Sequence, residues 1–337
     1  MYARIIVLCC CYPCLFGCQY SRDRPQPMTT NTEATSTDTT QQKPYKVWKS
    51  ASKIVFQSID NGQTWQDVSA GLPEGVEIGC IYAGGGEVFL GFENGLFRSV
   101  ANSGTPIWKP ELLLDHRITD IIPGQAGLYA CSNGRGFFQE LSGTGVWLPM
   151  HKALEDQSVY TVLETADGTV FIGSNSGIAT STNGGKTWKG VFDEAVVTNL
   201  ITVNGVLLGT ASRGVIRSTD GGAHWDWVLT NSGAAVAIDR TKGGLGAITY
   251  DGGKQQFYTS KDSGSTWQQM DDNALPFRFN SDIKAAGDYL FVSEATGIFR
   301  SSDQGNTWQL VFPSKDNSMF NFVVSGKVIF AIPLGGC

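Results

Sequence analysis

Five of the eight cysteines fall within the first eighteen residues, at Cys9, Cys10, Cys11, Cys14 and Cys18, leaving only Cys80, Cys131 and Cys337 elsewhere. Thiolates so spaced could ligate zinc or an iron–sulfur cluster, but that chemistry needs ordered ligands, themselves held by hydrogen bonds. These cysteines instead lie in and just behind an apolar run from Ile5 to Phe16, with Arg4 before it. Such a run is too short for the ~20 residues that span a bilayer and matches the apolar region of a secretory signal. Further along, His116 and His151 sit on neighbouring loops without a third metal ligand in view, so no metal site is assigned. Arg117, Arg135, Arg213 and Arg278 are better candidates, because a guanidinium donates two parallel hydrogen bonds to a carboxylate.

The elements that must carry these residues follow from composition and spacing. The chain has 337 residues, a net charge of −6, 17% charged residues and 41 glycines. Lysine and arginine form no cluster, so the cationic footprint that phosphates require is missing and nucleic acid is excluded as a partner. Aliphatic residues come in short runs broken by Gly, Asn, Asp and Ser, a pattern of short strands and tight turns.

An octapeptide of the form Ser-x-Asp-x-Gly-x-Thr-Trp recurs. Good copies run from Ser58 to Trp65, Ser181 to Trp188, Ser218 to Trp225, Ser260 to Trp267 and Ser301 to Trp308. Two weaker ones run from Ser99 to Trp108, with two extra residues, and from Glu140 to Trp147. The tryptophans recur about every 40 residues, which with four short strands per unit specifies a β-propeller. The fold class is therefore all-β, a seven-bladed propeller of four-stranded antiparallel blades. In the unit from Val159 to Phe192 the strands A to D form a meander, with the octapeptide on the C to D turn. There the Asp or Asn accepts backbone N–H groups, Gly supplies positive φ, and Trp covers the hairpin. Asp60, Trp65, Asn183, Trp188, Asp220, Trp225, Asp262, Trp267, Asp303 and Trp308 are accordingly structural. His224 replaces Thr in one copy, and Arg98, Arg217 and Arg300, each just before an octapeptide, belong to the same scaffolding.

In a meander the A to B and C to D turns share one face, while B to C and D to A loops share the other. Arg135 and Arg213 occupy one repeat-equivalent B to C position, where other units carry Asn94, Ser176 and Thr296. Arg117, Asp193, Glu194, Arg278 and Asp282 fall on the D to A loops. The candidate binding face is thus Arg117, Arg135, Arg213, Arg278 and Asp282. The last two blade strands are expected to pair with residues 54–57 and 64–68, closing the ring, although residues 45–48 look strand-like as well.

The octapeptides resemble the Asp-box, or bacterial neuraminidase repeat, over nearly all of residues 45–337. A lipid-tethered domain with seven repeats looks most like the photosystem II assembly/stability factor-like family, which implies a non-enzymatic assembly factor that binds a protein or membrane complex. The resemblance also admits a sialidase-like or other glycoside hydrolase, or a lectin, with a glycan as ligand. Against a sialidase, the Phe-Arg-Ile-Pro signature of that family is missing, Phe277-Arg278-Phe279 falls too late, and its propellers have six blades. Leu15-Phe16-Gly17-Cys18 resembles the lipobox of bacterial lipoproteins, with Cys18 as the acylated residue.

These readings divide the chain into a signal peptide (1–17), a flexible Thr-rich tether (18–44) and the propeller (45–337). The 26 residues from Gln19 to Pro44 would span roughly 28 Å as a coil. The expectation is a cofactor-free, non-catalytic protein of the bacterial cell envelope, lipid-anchored on the periplasmic or outer-membrane side. Mass spectrometry of the mature amino terminus is expected to find acylated Cys18, and Cys18→Ala is expected to leave the membrane fraction. An unmodified terminus cleaved elsewhere contradicts both.

Overall fold

The computed structural model describes residues 53–100, 104–111, 117–125, 127–132, 136–141, 143–150, 157–230, 233–251, 254–270, 280–315 and 317–334. Cys18, the Thr-rich stretch, residues 45–48 and Cys337 lie outside these.

Seven four-stranded antiparallel sheets form the blades of a propeller. Blades 1 to 6 span residues 78–111, 118–149, 159–192, 197–229, 234–269 and 280–313, in chain order. Blade 3 shows the meander, with Val159–Glu164 innermost, then Val170–Ser174, Gly177–Ser181 and Lys189–Phe192 outermost. Its outer strand begins at Lys189 because Thr187 and Trp188 are spent on the octapeptide turn. The second strand, VFIGS, is buried throughout, since both faces of a blade pack against neighbours. The outermost strands are short and mostly exposed. Pro110, Pro149 and Pro313 lie on them, where a missing N–H discourages edge-to-edge pairing.

The seventh blade closes the ring. Its outer strands, Phe56–Ser58 and Gln66–Asp67, come from the start of the domain, and its inner ones, Phe320–Ser325 and Val328–Pro333, from the end. Phe56 pairs with Ala331, Gln57 with Phe330 and Ser58 with Ile329. The first segment pairs later than expected and the second is shorter, because the turn holds every residue through Trp65. Phe320–Ser325 then contacts Ile78–Gly84 of blade 1, so no innermost strand is left open.

The apolar core divides into seven clusters, one between each pair of adjacent blades. Phe171 and Ile178 of blade 3 join Val197 and Leu207 of blade 4, for example, and Phe291 of blade 6 joins Phe322 and Ile329 of the closing blade.

The octapeptide turns build these interfaces. In the closing blade Ser58 donates its hydroxyl to Asp60 Oδ1 at 2.8 Å and accepts the Gly62 N–H at 2.8 Å. Thr64 donates its backbone N–H to Asp60 Oδ1 at 2.9 Å and its hydroxyl to Oδ2 at 2.6 Å. Asp262 and Asp303 repeat the arrangement. At Asn183 the side-chain amide donates to Thr187 Oγ1 instead, and at Asp220 the His224 ring takes the threonine's place at 2.6 Å. The Trp65, Trp188, Trp225, Trp267 and Trp308 indoles each donate to the octapeptide Gly carbonyl at 3.1–3.2 Å. Trp188 meets Phe137 of the preceding blade edge-on, and Trp65 stacks on Phe312.

Glycine is required here twice over. Gly222 and Gly264 have φ of +86° and +78°, and a Cβ at either would lie 2.4 Å from the preceding blade, against Phe171 and Leu208 respectively. The arginines before the octapeptides reach the other way. Arg217 donates to the Ser263 carbonyl and Arg300 to that of Asn61, each in the next blade's turn. Arg98 likewise approaches Glu140, at 3.7 Å.

Slight burial works against ionisation of Asp60, but hydrogen bonds from Thr64, Ser58 and Gln63 outweigh it and hold its pKa at about 2. Hydrogen bonds from Thr266 and Ser260 hold Asp262 at about 2 as well. A carboxylate depressed in the folded state stabilises the fold above its unfolded value near 3.8 and loses that contribution as pH falls through the folded value. Tm is therefore expected to be nearly flat from about pH 7 to 5 and to fall between about pH 4 and 2. Asp60→Asn should soften that fall and Asn183→Asp steepen it; identical pH profiles would contradict the assignment. Deleting residues 319–337 removes the inner half of the closing blade and should abolish soluble folding, which a truncated protein with unchanged Tm would refute.

Candidate functional site

With the octapeptide end committed to joining blades, the opposite face is the one free to vary. Blade 4 supplies its best-defined constellation. The exposed guanidinium of Arg213, on the turn between Val206–Ala211 and Gly214–Ser218, lies 5.1 Å from the Trp227 ring centroid. Trp227 belongs to the outermost strand Asp226–Leu229, and its indole N–H donates to Glu194 Oε2 at 2.7 Å. Phe192 of blade 3 packs edge-on against the same ring at 5.7 Å. A tryptophan fixed at both edge and N–H thus supports an arginine whose guanidinium has no hydrogen-bond partner among the described residues. Such a group can accept a carboxylate in two parallel hydrogen bonds.

The other expected residues fare differently. Arg117 immediately precedes the innermost strand Ile118–Gly124, is half-buried and is already engaged, so it is not a freely solvated loop arginine. Asp282 corrects the loop expectation: it lies within the innermost strand Asn280–Ala286, where the register shifts between Asn280 and Asp282. An irregular strand start looks like loop in sequence because it breaks the apolar alternation. Arg135, Arg278, His116 and His151 lie outside the described residues. Trp227 was missed by sequence reasoning, although a signal existed. It falls two residues after Trp225, outside the repeat position that accounts for seven of the nine tryptophans.

Cys80 and Cys131 sit on the first strand of blade 1 and the second of blade 2, both buried and free. Burial pushes both thiols up, and Asp120 adds to the effect, so neither is a nucleophile at neutral pH. On the innermost strands of blades 5 and 6, Asp239 and Lys284 approach to 4.0 Å; burial raises Asp239 against the pull of Lys284 and Arg240. At the octapeptide end, Arg98 holds Glu87 at 2.5 Å and Glu111 at 3.4 Å, with Glu140 occupying the octapeptide serine position. Burial raises Glu111 although Arg98 opposes it. Among the described residues no three His, Cys, Asp or Glu side chains group as metal ligands.

The sequence matches no family profile and no curated protein. Solved structures do match. YCF48 from Cyanidioschyzon merolae is 16% identical, with a TM-score of 0.60 over 77% of this chain and 96% of that one. A structure of YCF48 bound to D1 peptide is 17% identical, with a TM-score of 0.54 over 86% and 98%. The GH74 xyloglucanase from Xanthomonas campestris is 12% identical, with a TM-score of 0.55 over 70% of this chain and 47% of its own. The chain thus spans about half of that enzyme. At these identities the likeness is one of fold: this chain shares its seven-bladed β-propeller with proteins of different activities.

Proposed function

We propose that the chain is a lipid-tethered, non-enzymatic envelope protein of the Asp-box type, which binds an acidic segment of another protein or membrane complex. The face opposite the octapeptide turns is the binding surface. The observation that carries this reading is Arg213, exposed on a tryptophan that Glu194 and Phe192 hold in place. Arg135 occupies the repeat-equivalent sequence position two repeats earlier, and this reading gives it the same role. The YCF48 structure with a D1 peptide supports the choice of ligand class, because a peptide is bound by a protein of this fold.

The similarity to GH74 enzymes motivates a second reading, hydrolysis of a glycan, at the same level of likeness. Two experiments separate them. Pulldown of the tagged protein from detergent-solubilised membranes is expected to capture a defined partner, and assays on fluorogenic sialosides and glucosides are expected to show no turnover. Arg135→Glu with Arg213→Glu should weaken capture about tenfold at low salt and less at high salt, as an electrostatic contact requires. Loss of the exposed ring contact costs only about 0.5–1 kcal/mol, so Tm should move by no more than about 4 °C. Equal capture across salt concentrations, or turnover of a glycoside, would overturn the reading.

A further inference from the structure

Among the described residues, five of the seven exposed large apolar side chains fall on or immediately after two adjacent octapeptide turns. They are Val100 and Ile107 in blade 1, and Leu141, Val146 and Leu148 in blade 2. These are the two turns whose octapeptides are degenerate. In the five good copies the residue before Trp is Thr64, Thr187, His224, Thr266 or Thr307, and each is bonded to the turn's Asp or Asn. Ile107 and Val146 stand at that position in blades 1 and 2, and Ile107 is 74% exposed. The residue after the first position is polar in blades 3 to 6, as Thr182, Thr219, Lys261 and Ser302, but apolar here, as Val100 and Leu141, and in the adjoining closing blade, as Ile59, where the clasp is kept.

The two turns form one surface. Leu141 N–H bonds to the Val146 carbonyl across the second turn, and Arg98, two residues before Val100, reaches Glu140 beside Leu141. Ile59 of the adjoining closing blade is exposed as well. Scattered apolar residues on a surface need no explanation, but a cluster that replaces a polar clasp at matching positions in neighbouring repeats does. The substituted side chains lack the hydrogen bond to a turn Asp or Asn and remain exposed.

We propose that this rim rests on the hydrocarbon boundary of a lipid bilayer, inserting its aliphatic side chains while the anchor holds the domain close. The proposal rests on the lipid-tether reading of the amino-terminal segment. The described chain enters at Lys53, whose N–H bonds to Asp67 in the closing blade, next to blade 1. From there to Ile59 at the rim is about 20 Å of extended chain. The tether from Gln19 to Pro44 would by itself span roughly 28 Å as a coil, enough to let the rim meet the membrane that holds the anchor. No cluster of lysine and arginine marks the chain, so attachment would be through apolar insertion and would depend little on lipid charge.

The test compares two full-length proteins, both carrying Cys18→Ala so that any acyl chain is absent and the apolar run of residues 5–16 is common to both. One keeps the rim; the other carries Val100→Ser, Ile107→Thr, Leu141→Ser and Val146→Thr. In co-flotation with phosphatidylcholine vesicles, the intact rim should partition about tenfold more strongly at both about 0.1 M and about 0.5 M salt, since apolar insertion is not screened. Hydrogen exchange on the same vesicles should slow in segments 99–108 and 140–147 but not in 181–188 or 218–225. The single Ile107→Thr variant, with Tm unchanged, should show a smaller loss and excludes misfolding as the cause. Equal flotation of the two proteins, or unaltered exchange in the two rim segments, overturns the proposal. So does a dimer, seen by sedimentation without vesicles and abolished by the four substitutions, which would give the rim to a second copy. Mass spectrometry of the wild-type amino terminus tests the anchor separately, so rim-dependent flotation with unmodified Cys18 would remove the tether and keep the rim.

Discussion

Each blade is a sheet too thin to own a core, so the whole molecule depends on how one blade meets the next. That meeting is organised by the octapeptide turn. A serine hydroxyl and an Asp or Asn side chain fold the turn back on itself, and the glycine so positioned, at positive φ, comes to lie against an apolar side chain of the preceding blade. Gly222 on Phe171 and Gly264 on Leu208 leave no space for a Cβ. The hydrogen bonds are local and exposed, yet their consequence is apolar and shared between blades. Truncating a buried phenylalanine at such an interface would cost about 3–5 kcal/mol, much more than any one exposed hydrogen bond of the turn contributes.

Because every interface joins two blades, the ring has no natural end, and the closing blade must be assembled from both ends of the domain. Its register, Phe56 on Ala331, sets the position of the first octapeptide turn against Phe291 of blade 6. Local turn chemistry and long-range closure therefore support one another. Arg217 and Arg300 add a polar stitch in the forward direction, each donating to a backbone carbonyl of the next turn. Blades 1 and 2 depart from this scheme: Arg98 meets three carboxylates, and the clasp gives way to exposed aliphatic side chains. A repeat protein can release a few turns from scaffolding only while the remaining interfaces hold the ring closed, and the five intact turns here do so.

The division of labour between the two ends follows from the meander. Alternate connections emerge on opposite faces, so turns that must be alike to join blades cannot share a face with loops free to differ. Arg213 illustrates the result. It occupies a position that is uncharged in neighbouring repeats, and it lies over a tryptophan from the outermost strand, held by a glutamate from the connection before its own blade.

Repetition made the fold legible in the sequence. Seven octapeptides, five good and two degenerate, with tryptophans about 40 residues apart, specify blade number, strand order, the turn that carries each Asp–Trp pair and the need for closure, because each is a local pattern restated along the chain. The scaffolding role of Arg217 and Arg300 was legible for the same reason. What the sequence could not specify are contacts between residues far apart in the chain or out of register with the repeat. Asp282 read as loop because a bulge interrupts the alternation that marks a strand, and Trp227 went unnoticed because its role depends on Glu194, 33 residues earlier. Only the tertiary structure set the turn of Val100 and Ile107 next to that of Leu141 and Val146, where Arg98 reaches Glu140. In sequence they are two imperfect repeats, and they become one surface because adjacent blades place equivalent turns side by side.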